Sequence, residues 1–112
     1  MKPDSRAPHI IAVIPAYRES TRVPVVIKDA LKFAKEVIVV DDASEDATAD
    51  VSRAAGAMVI RHLENSGAGA ATMTGIEAAR RLGADIVVTL DADGQHDAAD
   101  IPRMLQPVLE DR

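Results

Sequence analysis

Two aspartates spaced two residues apart, Asp91 and Asp93, follow directly on the uncharged run Ile86-Val87-Val88-Thr89-Leu90. An unbroken apolar and β-branched run of this kind suits a strand buried on both faces, as in a parallel sheet between helices. Alternate side chains on a strand share a side, so the two carboxylates would point the same way with α-carbons about 6–7 Å apart. Held that close they repel each other unless a cation sits with them, and a hard divalent ion bridging to a phosphate takes such oxygen ligands. Gly94 allows a sharp turn, and Gln95 offers a neutral oxygen on the same side. A surface turn rich in acids is the plain alternative. Position favours a ligand site, because open α/β sheets bind ligands at the carboxyl ends of buried strands.

Carboxylates recur after the other strands that the pattern predicts. Glu19 follows the first, and Asp41 and Asp42 follow the second. Asp42 can accept a hydrogen bond from a base N–H, and Glu19 can accept from ribose hydroxyls. Helix capping and solvation are the other roles open to them, and Asp41 suits capping as well as binding. Gly67-x-Gly69 at a helix start could bring backbone N–H groups to an anion. No full Gly-x-Gly-x-x-Gly and no P-loop Lys-Ser/Thr accompanies it, so close helix–strand packing explains these glycines equally well. His96 suits a metal, a phosphate or solvent; Arg18 and Arg22 suit a phosphate or solvent; His9 and His62 read as structural. No Ser-His-Asp order, Cys-His pair or His-Glu-x-x-His is present, which argues against hydrolases built on those devices.

These side chains need a scaffold, and the chain spells out strand, turn and helix in alternation. The residues from His9 to Ile14 read as a first buried strand stopped by Pro15. A helix capped by Ser20 or Thr21, with Pro24 in its first turn, is expected to run to about Ala34. Its apolar stripe would be Val23, Val26, Ile27, Ala30, Leu31 and Ala34. A second strand spans 37–40, and a helix starting within 44–48 ends at Gly56, the expected residue just past a helix. A third strand covers 57–61, and the glycine-rich turn 65–69 enters a helix reaching Leu82, with Thr72, Ile76, Ala79 and Leu82 as its buried side. The fourth strand is 86–90. A last helix would begin near Ala98 or Asp100, with a stripe of Ile101, Met104, Leu105, Val108 and Leu109. Alternation of this kind predicts a three-layer α/β/α, Rossmann-like domain with a mostly parallel sheet of at least four strands. The first and fourth strands would be neighbours at the switch point, where a nucleotide belongs.

The totals agree. At 112 residues, 47% hydrophobic, the chain makes one domain with a packed core. A net charge of −5, with one Tyr, one Phe and scattered basic residues, argues against nucleic acid as a partner. The absence of cysteine excludes disulfides and thiolate metal sites and fits a reducing compartment. No apolar run reaches the ~18 residues of a membrane span, and the first residues do not resemble a signal peptide. A cytoplasmic chain is expected.

Four segments taken together resemble the family 2 glycosyltransferases of GT-A fold, and within them the dolichyl- or polyprenyl-phosphate sugar synthases. They are 13–19 (Val-Ile-Pro-Ala-Tyr-Arg-Glu), 39–48 (Val-Val-Asp-Asp-Ala-Ser-Glu-Asp-Ala-Thr), 65–71 (Asn-Ser-Gly-Ala-Gly-Ala-Ala) and 90–96 (Leu-Asp-Ala-Asp-Gly-Gln-His). The resemblance implies a UDP- or GDP-linked sugar donor and a divalent cation, Mg²⁺ or Mn²⁺. It implies that Pro15, Ala16, Tyr17 and Glu19 frame the base and ribose, that Asp42 hydrogen-bonds the base, and that Ala92 belongs to the donor site. Asp91, Asp93 and Gln95 would hold the metal on the diphosphate. In that subgroup the acceptor is a lipid-linked phosphate and transfer inverts the anomeric centre. The family often carries a basic residue where Ala68 and Met73 stand, so phosphate contacts would be weaker or come from elsewhere.

The resemblance covers only the donor-binding half of such an enzyme. The chain is therefore expected to be a truncated transferase that binds donor and whose full-length form works at the cytoplasmic face of a membrane. An open edge on the fourth strand would invite pairing with a second copy. Two other classes share local features. A haloacid-dehalogenase-type phosphatase uses Asp-x-Asp-Gly after a buried strand, but Gln95 stands where Thr is usual and three strand–helix units come first. A receiver-type signalling domain would use Asp41 and Asp42 as its acidic pair and Asp91 as the phosphoacceptor, but its later Thr/Ser and Lys are missing.

Overall fold

The computed structural model describes residues 7–94. Its elements in order are β1 (Ile10–Ala16), α1 (Val23–Ala30), β2 (Glu36–Asp41), α2 (Thr48–Ala54), β3 (Met58–Arg61), α3 (Ala68–Arg81) and β4 (Ile86–Thr89). The four strands form one sheet in the order β3-β2-β1-β4, and every neighbouring pair is parallel. β1 and β4 are adjacent, as the alternation of elements predicts. The expected final helix, together with Gln95 and His96, lies outside the described residues.

Side-chain alternation divides the core into two layers. Ala12, Ile14 and Ala16 of β1 join Val37 and Val39 of β2 and Ile86 and Val88 of β4 against Val23, Ile27 and Ala30 of α1. Ile11 and Val13 join Ile38 and Val40 on the other face, against Ala71 and Ala79 of α3. Each Val or Ile withdrawn from water in this way contributes about 1.5–3 kcal/mol. A strand buried on both faces has no polar side, which is why these runs carry no charge until they end.

Four local features differ from the sequence expectation, the first being that Arg22, rather than Ser20 or Thr21, holds the N-cap position of α1, with no side-chain capping bond. β1 does not stop at Pro15 but runs on to Ala16, with Pro15 in register with Val40. The Ala16 carbonyl accepts from Asp42 N–H on the β2 side, whereas the Val13 carbonyl accepts from Leu90 N–H on the β4 side. Residue 15 therefore faces β4, beyond the last pair Val13↔Thr89, and a proline there removes no ladder bond.

α1 ends at Ala30 rather than near Ala34. Lys32 and Phe33 donate three residues back, to Asp29 and Ala30, which tightens the chain so that Lys35 N–H reaches the Ile10 carbonyl and starts β2.

α3 turns Ala71, Gly75 and Ala79 to the sheet; of the expected residues only Ala79 is buried, while Thr72 and Ile76 are half-buried and Leu82 is exposed. The reason is distance. A Cβ at Gly75 would sit 2.2 Å from Val13 Cγ1 and 3.2 Å from Val40 Cγ2, so the helix lies closer to the sheet than larger side chains permit. Gly75→Ala should lower stability by up to about 2 kcal/mol, because overpacking of about 1–3 kcal/mol is offset only in part by the gain in helix propensity of about 1 kcal/mol. Urea denaturation followed by circular dichroism checks this, and an unchanged midpoint would mean that α3 can shift outward freely.

Candidate functional site

The loops after β1 and β2 are sewn together where those strands end. Arg18 N–H donates to Ser44 Oγ at 2.9 Å and Glu19 N–H donates to Thr48 Oγ1 at 3.0 Å. Both hydroxyl residues are buried, at 1% and 0% exposure. Thr48 in turn donates its hydroxyl to Asp46; this bond, with the Thr48 N–H and Ser20, outweighs the opposing effect of burial and sets the Asp46 carboxyl below the usual range. Two non-glycine residues here adopt left-handed backbone, Arg18 with φ 55° and Ala43 with φ 68°. Such conformations persist only where neighbouring bonds hold them, and they gather at ligand sites. The Arg18 guanidinium lies 5.0 Å from the centroid of the Tyr17 ring and donates from Nε to Glu45 at 2.9 Å.

The two aspartates ending β2 point to opposite faces and do different work. Asp41 is fully buried; Oδ1 accepts from Ser44 N–H at 3.1 Å and Oδ2 pairs with Arg61 Nε at 3.2 Å. Arg61 also donates to the Ser44 carbonyl, so Asp41 fixes the loop from beneath. Asp42 turns toward α3. Its Oδ1 meets His62 Nδ1 at 2.7 Å and accepts from Ser66 N–H at 2.9 Å, while Oδ2 accepts from Gly67 N–H at 2.8 Å. Gly67 has φ 98° and ψ 159°, a conformation that only glycine adopts without strain, and α3 starts at the next residue. Burial opposes ionisation of Asp42, but Ser66 N–H, the His62 ring and Gly67 N–H together outweigh it and hold the carboxyl below the usual aspartate range.

A small cleft of about 70 Å³ opens beside this carboxylate, lined by Pro15, Ala16, Tyr17, Asp42, Ala68 and Ala71. Of the residues expected at a donor site, Pro15, Ala16, Tyr17 and Asp42 are thus brought together. Glu19 is not among the lining residues, and its carboxylate pairs with Arg22 at 3.4 Å. Ala92 is 5% exposed and packs into the core layer against α1, so its side chain is not on offer to a ligand. Asp91 is exposed and Asp93 half-buried, on the turn that follows β4 beside the end of β1. Gln95 lies outside the described residues. Among the described residues no three His, Asp or Glu side chains converge as a metal-holding group. The pair itself supplies hard oxygen donors, and this chemistry fits a cation such as Mg²⁺ or Mn²⁺.

A wider hollow at the opposite end of the sheet, lined by His9, Phe33, Lys35 and Asp85 among others, lies away from these loops. Sequence reasoning passed over Ser44, Thr48 and Thr74, and took His62 as purely structural. The Ser-x-x-x-Thr spacing at 44–48 was visible only as helix capping. The partnership of His62 with Asp42 spans 20 residues and has no local signature.

A parallel sheet in the order 3-2-1-4, with helices on both faces and a cleft at the carboxyl ends of its central strands, is the Rossmann-like GT-A architecture. The chain belongs to the family 2 glycosyltransferases: residues 11–112 match the family described as Glycosyl transferase family 2. It is 35% identical over 120 residues to the UDP-N-acetylglucosamine–dolichyl-phosphate N-acetylglucosaminyltransferase of Methanococcus voltae, covering 91% of this chain and 48% of that protein. It is 35% identical over 107 residues to the undecaprenyl-phosphate mannosyltransferase of Micrococcus luteus, covering 88% and 44%. Among solved structures it superposes on glucosyl-3-phosphoglycerate synthase from Mycobacterium tuberculosis, crystallised with Mn²⁺, UDP and glucosyl-3-phosphoglycerate. That match has a TM-score of 0.75 and 27% identity, and covers 92% of this chain and 40% of that one. The chain thus spans about half the length of the curated relatives it matches. The phosphatase and receiver-domain readings find no support beside this family match.

Because the folded Asp42 carboxyl titrates below the unfolded one, its stabilising contribution is complete above the ordinary aspartate pKa of about 3.9. It fades as pH falls through that value toward the folded one. Asp42→Ala should lower stability by about 2 kcal/mol near neutral pH, and its gap to the parent chain should narrow below pH of about 4. Urea midpoints measured across that range check both the size and the sign.

Proposed function

We propose that this chain is the donor-binding portion of a metal-dependent glycosyltransferase that takes a UDP- or GDP-linked sugar. The observation that carries this reading is the apolar cleft that ends on the buried Asp42 carboxylate, between β1, β2 and the start of α3. Pro15, Ala16, Ala68 and Ala71 offer flat apolar walls, Tyr17 an aromatic edge, and Asp42 an acceptor for a base N–H. Glu19, on the same loop as Tyr17, is proposed as an acceptor for the ribose hydroxyls.

The diphosphate would lie toward Asp91 and Asp93. These two residues, with Gln95, are proposed to hold Mg²⁺ or Mn²⁺, which when bound stabilises the charge of the departing nucleoside diphosphate. The α3 N-terminus adds backbone N–H groups that are not used within the helix, beyond the one that Gly67 gives to Asp42. These offset the lack of a basic residue at Ala68 and Met73. Relatives named as dolichyl- and undecaprenyl-phosphate transferases support a polyprenyl phosphate as acceptor, and the same proposal puts the reaction at the cytoplasmic face of a membrane. No helix among the described residues is long and apolar enough to cross a membrane. Pairing of two copies along an outer strand is a further part of the proposal, and a monomer in light scattering at micromolar concentrations would remove it.

Calorimetric titration with UDP and GDP, with and without Mn²⁺, tests the site. Mn²⁺ should strengthen binding, and Asp93→Ala should weaken the Mn²⁺-supported binding about tenfold or more, as the loss of about 1.4 kcal/mol would do. Binding that ignores both the cation and the substitution would contradict the role given to Asp93.

A further inference from the structure

A carboxylate has two oxygens and about four lone-pair sites. At Asp42 both sites on Oδ1 are taken, one by His62 Nδ1 and one by Ser66 N–H, and one site on Oδ2 is taken by Gly67 N–H. Counting the hydrogen bonds among the described residues, one acceptor site is left, on Oδ2, on a residue that lines the cleft. His62 is itself fixed from behind. Its Nε2 lies 2.9 Å from Thr74 Oγ1 on α3, and its side chain is only 16% exposed. A carboxylate only accepts, so the His62 proton sits on Nδ1, and with a neutral ring the Thr74 hydroxyl donates to Nε2.

We propose that His62 is a positioning residue for nucleobase selection. By filling Oδ1 it leaves Asp42 one acceptor for the ligand, so the cleft selects a base edge with a single N–H donor. Uracil presents its imide N–H flanked by two carbonyl acceptors. Guanine presents two adjacent donors, a ring N–H and an amino group, and the second would find its acceptor already taken. An unpaired donor buried in such a cleft is penalised. The selected donor is therefore a uridine diphosphate sugar rather than a guanosine one. This inference rests on the cleft being a nucleobase site, as proposed above.

The test is calorimetric titration of the chain, with Mn²⁺, against UDP, GDP and UDP methylated on the imide nitrogen. The parent chain should prefer UDP to GDP at least tenfold and lose at least tenfold on methylation. In His62→Ala the preference for UDP over GDP should shrink toward unity, because one acceptor site on Oδ1 opens to the second donor of guanine, while the loss on methylation should persist because Ser66 and Gly67 N–H still hold the carboxylate. His62→Asn, whose amide nitrogen can stand in for Nδ1, should restore the preference. A residue that only supports the fold would shift the urea midpoint and leave the preference unchanged, and that result overturns the role while leaving the nucleobase site intact. If His62→Ala does not fold, Thr74→Val reads the same preference, and an undiminished preference for UDP there overturns the role as well. A parent chain that prefers GDP also overturns it. Absence of binding by either nucleotide to a folded parent chain removes the nucleobase site and this proposal with it.

Discussion

A negative charge that is almost wholly removed from water, as Asp42 is, persists only where donors close around it. Here the donors come from three places: a ring at the end of β3, two backbone N–H groups of the turn that follows, and by extension Thr74 on α3. Each is distant from Asp42 in the chain, and each sits correctly only if the sheet and α3 are already in register. The carboxylate thereby ties β2, the 62–67 loop and the first turns of α3 into one unit. Its fixed orientation is what turns a set of apolar walls into a directional site. The same residue stabilises the local fold and defines what the cleft can recognise.

On the other side of β2, neutral groups take over the task. Ser44 and Thr48 are buried hydroxyls that hold the backbone of Arg18 and Glu19, residues of a loop reached by a different crossover. They allow Arg18 and Ala43 to remain in left-handed conformations that neither side chain favours on its own. Small residues on α3 complete the arrangement. Ala71 and Gly75 let the helix settle against Val13 and Val40, and that closeness brings Ala68 and Ala71 to the wall of the cleft.

Much of this could be read from the residues alone, and the reasons are physical. Uncharged runs that stop abruptly at acids mark parallel strands and their carboxyl ends, so the element order and the adjacency of β1 and β4 followed directly. The grouping of Pro15, Ala16, Tyr17 and Asp42 came from the resemblance of their segments to a known family, and the adjacency of β1 and β2 gives it a physical basis. Tertiary geometry decided what local pattern could not. The buried side of α3 was misread because large apolar residues were assumed to face inward, whereas close approach selected Ala71 and Gly75. The last turn of α1 was overextended because its stripe continues past the point where the ladder captures Lys35. The role of His62 was invisible because a contact made across 20 residues leaves no trace in spacing.

Pro15 fixes where β1 and β4 part. Parallel strands tend to zip onward for as long as donors and acceptors remain to be matched, and β1 and β4 would otherwise have a further rung available beyond Val13 and Leu90. A ring nitrogen without hydrogen at that point stops the zipper on one side of β1 while β2 continues on the other. The seam between the two strands therefore parts at a fixed place, and the backbone carrying Asp91 is released from the ladder there. The end of the β1–β4 ladder is set by a chemical incapacity of one residue, and the same ring serves as part of the wall of the cleft.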